Sequence, residues 1–154
     1  HHGIRKLLLL NGHGGNSAAI GAACRELYDR RGLFVARMNY WDAAMDVIEQ
    51  VRETKHLEHA DEMETSVALA LFPELVKMEH AIPVEVKPSR LPLLQKYGGD
   101  FTRPWHLYTT NGGTGDSTKA TPEKGEKIVA ACVERIGDVL VELANARMDA
   151  RFPY

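Results

Sequence analysis

Two short stretches carry residue types from which a reactive site could be built. The first is Asn-Gly-His-Gly-Gly-Asn, residues 11–16, placed directly after the four leucines 7–10. A loop that follows a buried parallel strand lies at the sheet edge where α/β folds keep their sites. Gly12, Gly14 and Gly15 allow close approach of a ligand to the backbone. There His13 could ligate a metal, act as a base or hydrogen-bond within the turn; the plainer reading is an anion-gripping glycine turn with an incidental histidine. The second stretch is Glu-His-Ala-Asp-Glu-Met-Glu-Thr-Ser, residues 58–66. On a helix, His59 and Glu62 are three apart and share a face, while Glu58 and Glu62 are four apart and repel. A hard cation would relieve that crowding, and carboxylate with imidazole suits Zn, Mn or Fe. The plainer reading is a solvated first turn, where the helix dipole favours acids.

These residues need a scaffold. Ile4–Leu10 reads as a fully buried strand. A helix follows over about 17–31, with Ile20, Ala23, Cys24 and Leu27 on one face, closed by Gly32. Residues 33–40 form a second strand, so a βαβ unit with parallel strands is expected. Helices are expected over 41–53 and 59–73, and an edge strand over the Val/Ile-rich, proline-bearing 78–88. Residues 89–119 are irregular and aromatic-dotted, the kind of long loop that serves function. Thr121 then caps a long helix that starts with Pro122 and carries the apolar stripe Ile128, Cys132, Ile136, Val139, Leu140 and Leu143.

The 154 residues suit one domain of α/β class with parallel strands. Apolar residues make up 44%, charged residues 26%, and the formal net charge is −2. With no basic footprint, nucleic acid is excluded as a partner. No run is long enough to span a membrane. Cys24 and Cys132 match no metal or redox spacing and are expected reduced, which points to the cytoplasm. Two strong strands are few for an open α/β sheet. The expectation is therefore a single domain over 1–154 that lacks its N-terminal portion.

Taken together, Asn-Gly-His-Gly-Gly-Asn and, about fifty residues later, His-Ala-Asp-Glu-Met-Glu-Thr-Ser resemble the creatininase family of creatinine amidohydrolase-like proteins. The family pattern has Gly where Asp61 stands. Asn39–Asp42 and the stretch 115–128 resemble further family segments. The resemblance implies a three-layer α/β/α fold with a mostly parallel, flavodoxin-like sheet, a two-metal site holding Zn, Mn or Fe, and hydrolysis of a C–N bond in a cyclic amide or formamide. It implies a small-molecule substrate and a homo-oligomer, up to a hexamer. By motif position His13 and Glu62 carry over as metal ligands and His59 as the general acid/base. Gly14, Gly15, Asn16 and Trp41 carry over as substrate-binding residues, with Asn16 and Glu64 supporting the site. The family's remaining ligands lie in a Glu-x-His-Gly-x-His segment that this sequence does not contain. Gly15 and Lys55 stand where creatininase has a glutamate and a tryptophan, which argues against creatinine itself as substrate. Glu62 is expected to stand in for that glutamate, because it shares a helix face with His59. The rival readings are hydrolysis of a keto-sugar C–C bond on the same dimetal site, and a non-catalytic flavodoxin-like ligand-binding module.

Overall fold

The computed structural model describes residues 2–55, 57–84 and 86–154; His1, His56 and Glu85 lie outside the described residues. The chain divides into two compact units, residues 1–47 with 130–154, and residues 48–129.

The first unit is built on the expected βαβ arrangement. Strand β1 (Lys6–Asn11) runs parallel to β2 (Phe34–Asn39), in a register that pairs Lys6 with Phe34 and Asn11 with Asn39. Helix α1 (Ser17–Arg31) makes the crossover, and its half-buried Ile20, Cys24 and Leu27 recur at helical spacing. Ala23, expected on that face, is exposed. Strand β1 is half-buried rather than fully buried, and Leu10 is 48% exposed. Two strands cover each other only along one edge, so burial here depends on what lies over the faces of the sheet. The helix expected over 41–53 splits into a tight turn at Tyr40–Ala44 followed by α2 (Met45–Val51).

The end of the chain closes this unit. In the long helix α6 (Pro122–Asn145), Cys132 donates its thiol to the Tyr40 carbonyl, and Arg135 donates to the Ala43 carbonyl and the Asp46 carboxylate. Lys6 donates to the carbonyls of Ala144 and Ala146, each at 2.8 Å. These carbonyls belong to the last turn of α6 and the residue after it, where a cation is favourable. Both cysteines are free.

In the second unit, α3 (Glu62–Leu71) packs against the start of α6. The approach is close enough that a Cβ on Gly125 would collide with the Ser66 carbonyl. Ser66 is fully buried; its hydroxyl donates to the Glu62 carbonyl at 2.6 Å and accepts the Thr121 N–H at 3.1 Å. Thr121 caps α6 as expected, accepting the Lys124 N–H. Ile128 and Met63 complete the apolar centre. Over 78–88 the expected edge strand is absent among the described residues. A tight turn at Met78–His80 and a single bridge from Val86 to Thr109 stand there instead. Pro83 and Pro88 interrupt the donors a strand would need. Residues 89–119 carry two short helices, α4 (Pro92–Lys96) and α5 (Trp105–Tyr108). Among the described residues no helix is long and apolar enough to cross a membrane.

Candidate active site

In the first unit the glycine loop hangs on Asn11, only 4% exposed at the end of β1. Its amide donates to the His13 carbonyl and to Asn39 Oδ1, both at 2.8 Å, and its Oδ1 accepts the His13 N–H at 3.2 Å. Asn16 donates to the same Oδ1 at 3.4 Å. One buried amide therefore ties the loop to both strands and satisfies the N–H and carbonyl of His13. His13 has extended backbone and caps the tight turn Gly14–Asn16, its Nδ1 accepting the Gly15 N–H at 3.1 Å. An accepting Nδ1 leaves the proton of a neutral imidazole on Nε2. His13, Gly14, Gly15 and Asn16 are all exposed. Trp41 sits in the turn after β2, edge-on to Tyr40 at 5.3 Å. The pairing of Asn11 with Asn39 puts His13 and Trp41, each two residues further on, at one edge of the sheet. Asn11 is thus the organiser of the loop, a role not assigned from the sequence, and Asn16 adds one bond to it.

In the second unit His59 and Glu62 do not share a helix face. Helix α3 begins at Glu62, and Asp61 is its cap, accepting the N–H groups of Met63 and Glu64 at 2.8 and 3.0 Å. A capping aspartate ends the helical path, and Ala60 before it turns left-handed at φ 48°. His59 therefore lies in the entry loop. Its carbonyl accepts the N–H groups of Thr114 and Gly115 at 2.9 and 3.3 Å. A Cβ on Gly115 would collide with Asp61, so only glycine permits this approach. Glu64 Oε2 accepts the Ala60 N–H at 2.7 Å and lies 3.9 Å from His59 Nδ1. The His59 ring packs against Trp105, centroids 5.0 Å apart. Glu58, expected to crowd Glu62, instead pairs with Arg103 at 2.7 Å.

Glu62 is completely buried. Its carboxylate accepts from the N–H groups of Glu53 and Thr54, the Thr54 hydroxyl and the Lys124 ammonium, at 2.6–3.0 Å. Burial pushes its carboxyl up, but the hydrogen bonds from Lys124, Thr54 and Glu53 outweigh that and hold it below the ordinary carboxylate value. Lys124 also pairs with Glu53 at 2.6 Å and donates to the Lys119 carbonyl at 2.8 Å. Burial pulls its ammonium down, and the two carboxylates more than restore it. Glu53, Thr54 and Lys124 went unsingled in the sequence; the one signal was the Pro-Glu-Lys-Gly run that opens α6.

The donor types fit a divalent ion, since a metal ligand must be an ionised carboxylate or a neutral imidazole. Glu62 is held ionised. Its four donors already fill both oxygens, so an ion there would take the place of one of them. Among the described residues no three His, Cys, Asp or Glu side chains stand grouped to hold a metal.

In the first unit a histidine loop stands at the strand edge of a parallel βαβ arrangement; in the second, an entry loop carries a histidine and the capped helix after it a buried carboxylate, and both are features of an α/β protein. The family model for creatininase, creatinine amidohydrolase, matches residues 1–140, and the chain belongs to the creatininase family. It is 36% identical to a creatinine amidohydrolase of Pseudomonas putida over 92% of this chain and 56% of that one. It is 33% identical to a 3-dehydro-scyllo-inosose hydrolase of Thermotoga maritima over 98% of this chain and 53% of that one. The chain thus spans about half the length of the curated relatives it matches. A crystal structure from Bacteroides fragilis, provisionally named a creatinine amidohydrolase, superposes with a TM-score of 0.85 at 34% identity, covering 96% of this chain and 57% of that one. Solved creatininases of the same fold, 31–32% identical, include a manganese form, a Zn–Zn form and a complex with creatine.

Proposed function

We propose that this chain serves a metal-dependent amidohydrolase that cleaves a C–N bond of a small cyclic amide or formamide with water. The observation that supports this reading best is the presentation of His59. Its ring is half-exposed, its carbonyl is gripped by Thr114 and Gly115, and the cap of α3 follows it directly. A group that moves a proton must be held where the proton is needed, and His59 is held from its backbone while its ring stays accessible.

In this reading His13 and Glu62 are the residues that would ligate divalent metal, Zn, Mn or Fe, two ions by the family pattern. Metal bound there would supply a water of lowered pKa and would polarise the substrate carbonyl. His59 passes a proton to the departing nitrogen. The exposed Gly14 and Gly15 give the substrate room beside the loop, and Asn16 and Trp41 flank it at the strand edge. The identities with creatinine amidohydrolase support the C–N reaction. We propose further that the chain works in the cytoplasm as a homo-oligomer, up to a hexamer.

A second reading, hydrolysis of a cyclic ketone substrate on the same groups, is favoured by the 33% identity with the 3-dehydro-scyllo-inosose hydrolase. The test is turnover of a panel of lactams, formamides and cyclic ketones by the chain, before and after chelation. The account expects amide or formamide hydrolysis that stops on chelation and returns with Mn²⁺ or Zn²⁺. Hydrolysis indifferent to chelator, or turnover of ketones alone, contradicts it.

A further inference from the structure

Beside His59 stands an aromatic wall that the proposed chemistry does not yet use. Helix α5 opens with Trp105, whose indole lies against the His59 ring at 5.0 Å with the planes tilted by 54°. Although its ring lies against the imidazole, Trp105 remains 46% exposed. Tyr108 backs it edge-on at 6.1 Å, and the Arg103 guanidinium covers the Tyr108 ring at 4.9 Å.

This wall is anchored to His59 from both sides of the chain. Arg103 pairs with Glu58, the residue before His59, and the Tyr108 hydroxyl donates to the same carboxylate at 3.3 Å. After the wall, Thr109 is buried and its hydroxyl donates to the Gly113 carbonyl at 2.5 Å. The next two residues, Thr114 and Gly115, grip the His59 carbonyl. The Lys87 N–H donates to the Tyr108 carbonyl at 2.9 Å. The distance between indole and imidazole is therefore set by packing rather than left to a mobile loop.

A large aromatic face left half in water, yet fixed beside a proton-transfer group, has the properties of a ligand platform. Arg103 and Glu58 beside the wall are spent on each other and Glu64 Oε2 accepts the Ala60 N–H, so the platform selects by flatness and not by net charge. Indole faces are electron-rich and take up electron-poor planar groups. We propose that Trp105 is a specificity-determining residue that stacks the planar, conjugated nitrogen ring of the substrate beside His59. This rests on the reading of His59 as the proton-transfer residue. It favours flat lactams over puckered polyhydroxylated rings.

The test titrates the tryptophan fluorescence of the full chain and of Trp105→Phe, which leaves Trp41 as the remaining tryptophan of the two. Hydantoin and creatinine serve as flat probes and myo-inositol as a puckered one, with Mn²⁺ present. Saturable quenching of the full chain by a flat probe, reduced in Trp105→Phe, and none by myo-inositol is expected. Equilibrium dialysis on Trp105→Ala, with wild-type circular dichroism, should show flat-probe affinity weakened by about tenfold, and Trp105→Phe should recover most of it. In turnover the loss should fall on KM, with kcat within about threefold. Unchanged affinity in Trp105→Ala, equal losses in the alanine and phenylalanine variants, or no binding of any flat probe overturns the proposal. Binding through Trp105 without hydrolysis would instead overturn the catalytic reading and leave the platform standing.

Discussion

Lys124 Nζ lies 2.6 Å from Glu62 Oε1, joining the start of α6 to the start of α3 across 62 residues of sequence. The carboxylate is fully buried and the ammonium side chain only 13% exposed. Removing one member of such a pair leaves an uncompensated buried charge. Lys124→Met should therefore lower the unfolding free energy by on the order of 3 kcal/mol in urea denaturation. The double variant Lys124→Met, Glu62→Gln should lose less than the sum of the singles, because the two share one interaction. Additive losses would mean that the pair is not coupled.

The same pair sets a pH dependence whose sign follows from its two shifts. Glu62 is held below its ordinary value of 4.5, so its contribution is complete above that value and is lost as pH falls through the lowered one. Lys124 is held above its ordinary value of 10.5, so its contribution is complete below that value and is lost as pH rises through the raised one. Stability measured across pH should hold between these limits and fall on both sides. Glu62→Gln should flatten the acid limb, and an acid limb equally steep in that variant would assign it to other carboxylates.

Helix α6 offers an internal control for the packing at Ser66. Gly125 faces the Ser66 carbonyl with no room for a methyl group, whereas nothing lies within 4 Å of the corresponding position at Gly137. Gly137→Ala should stabilise the protein by about 0.5–1 kcal/mol through helix propensity. Gly125→Ala should cost about 1–3 kcal/mol despite the same propensity gain, because backbone must move. Equal melting temperatures for the two variants would show that α3 and α6 are not in this close contact.

What could be read from the sequence followed the range of the interaction that fixed it. Ser17–Arg31, β2 and the start of α6 at Pro122 are settled by local periodicity, caps and short connections, and those expectations hold. The residues before α3 are settled by the Asp61 cap and by Thr114 and Gly115 from a distant loop, so the helix does not reach back to His59. The Val/Ile content of 78–88 suggested a strand, but hydrogen-bonding partners decide strands, and the described residues supply one bridge. Chemistry-bearing types at 13, 59 and 62 stood out because few residue types do such chemistry. Lys124, Trp105 and Asn11 did not, because a lysine, a tryptophan or an asparagine takes its role from neighbours that the sequence does not reveal.

The central claim, that His13 holds metal while His59 moves a proton, is tested most directly by measuring bound Mn²⁺ or Zn²⁺ and turnover together in His13→Ala and His59→Ala. His13→Ala should lose metal and activity in parallel. His59→Ala should keep its metal and lose about 10²–10⁴-fold in turnover, the usual worth of general acid/base catalysis. Equal metal loss in the two variants, or a His59→Ala protein that turns over at the wild-type rate, would contradict the account.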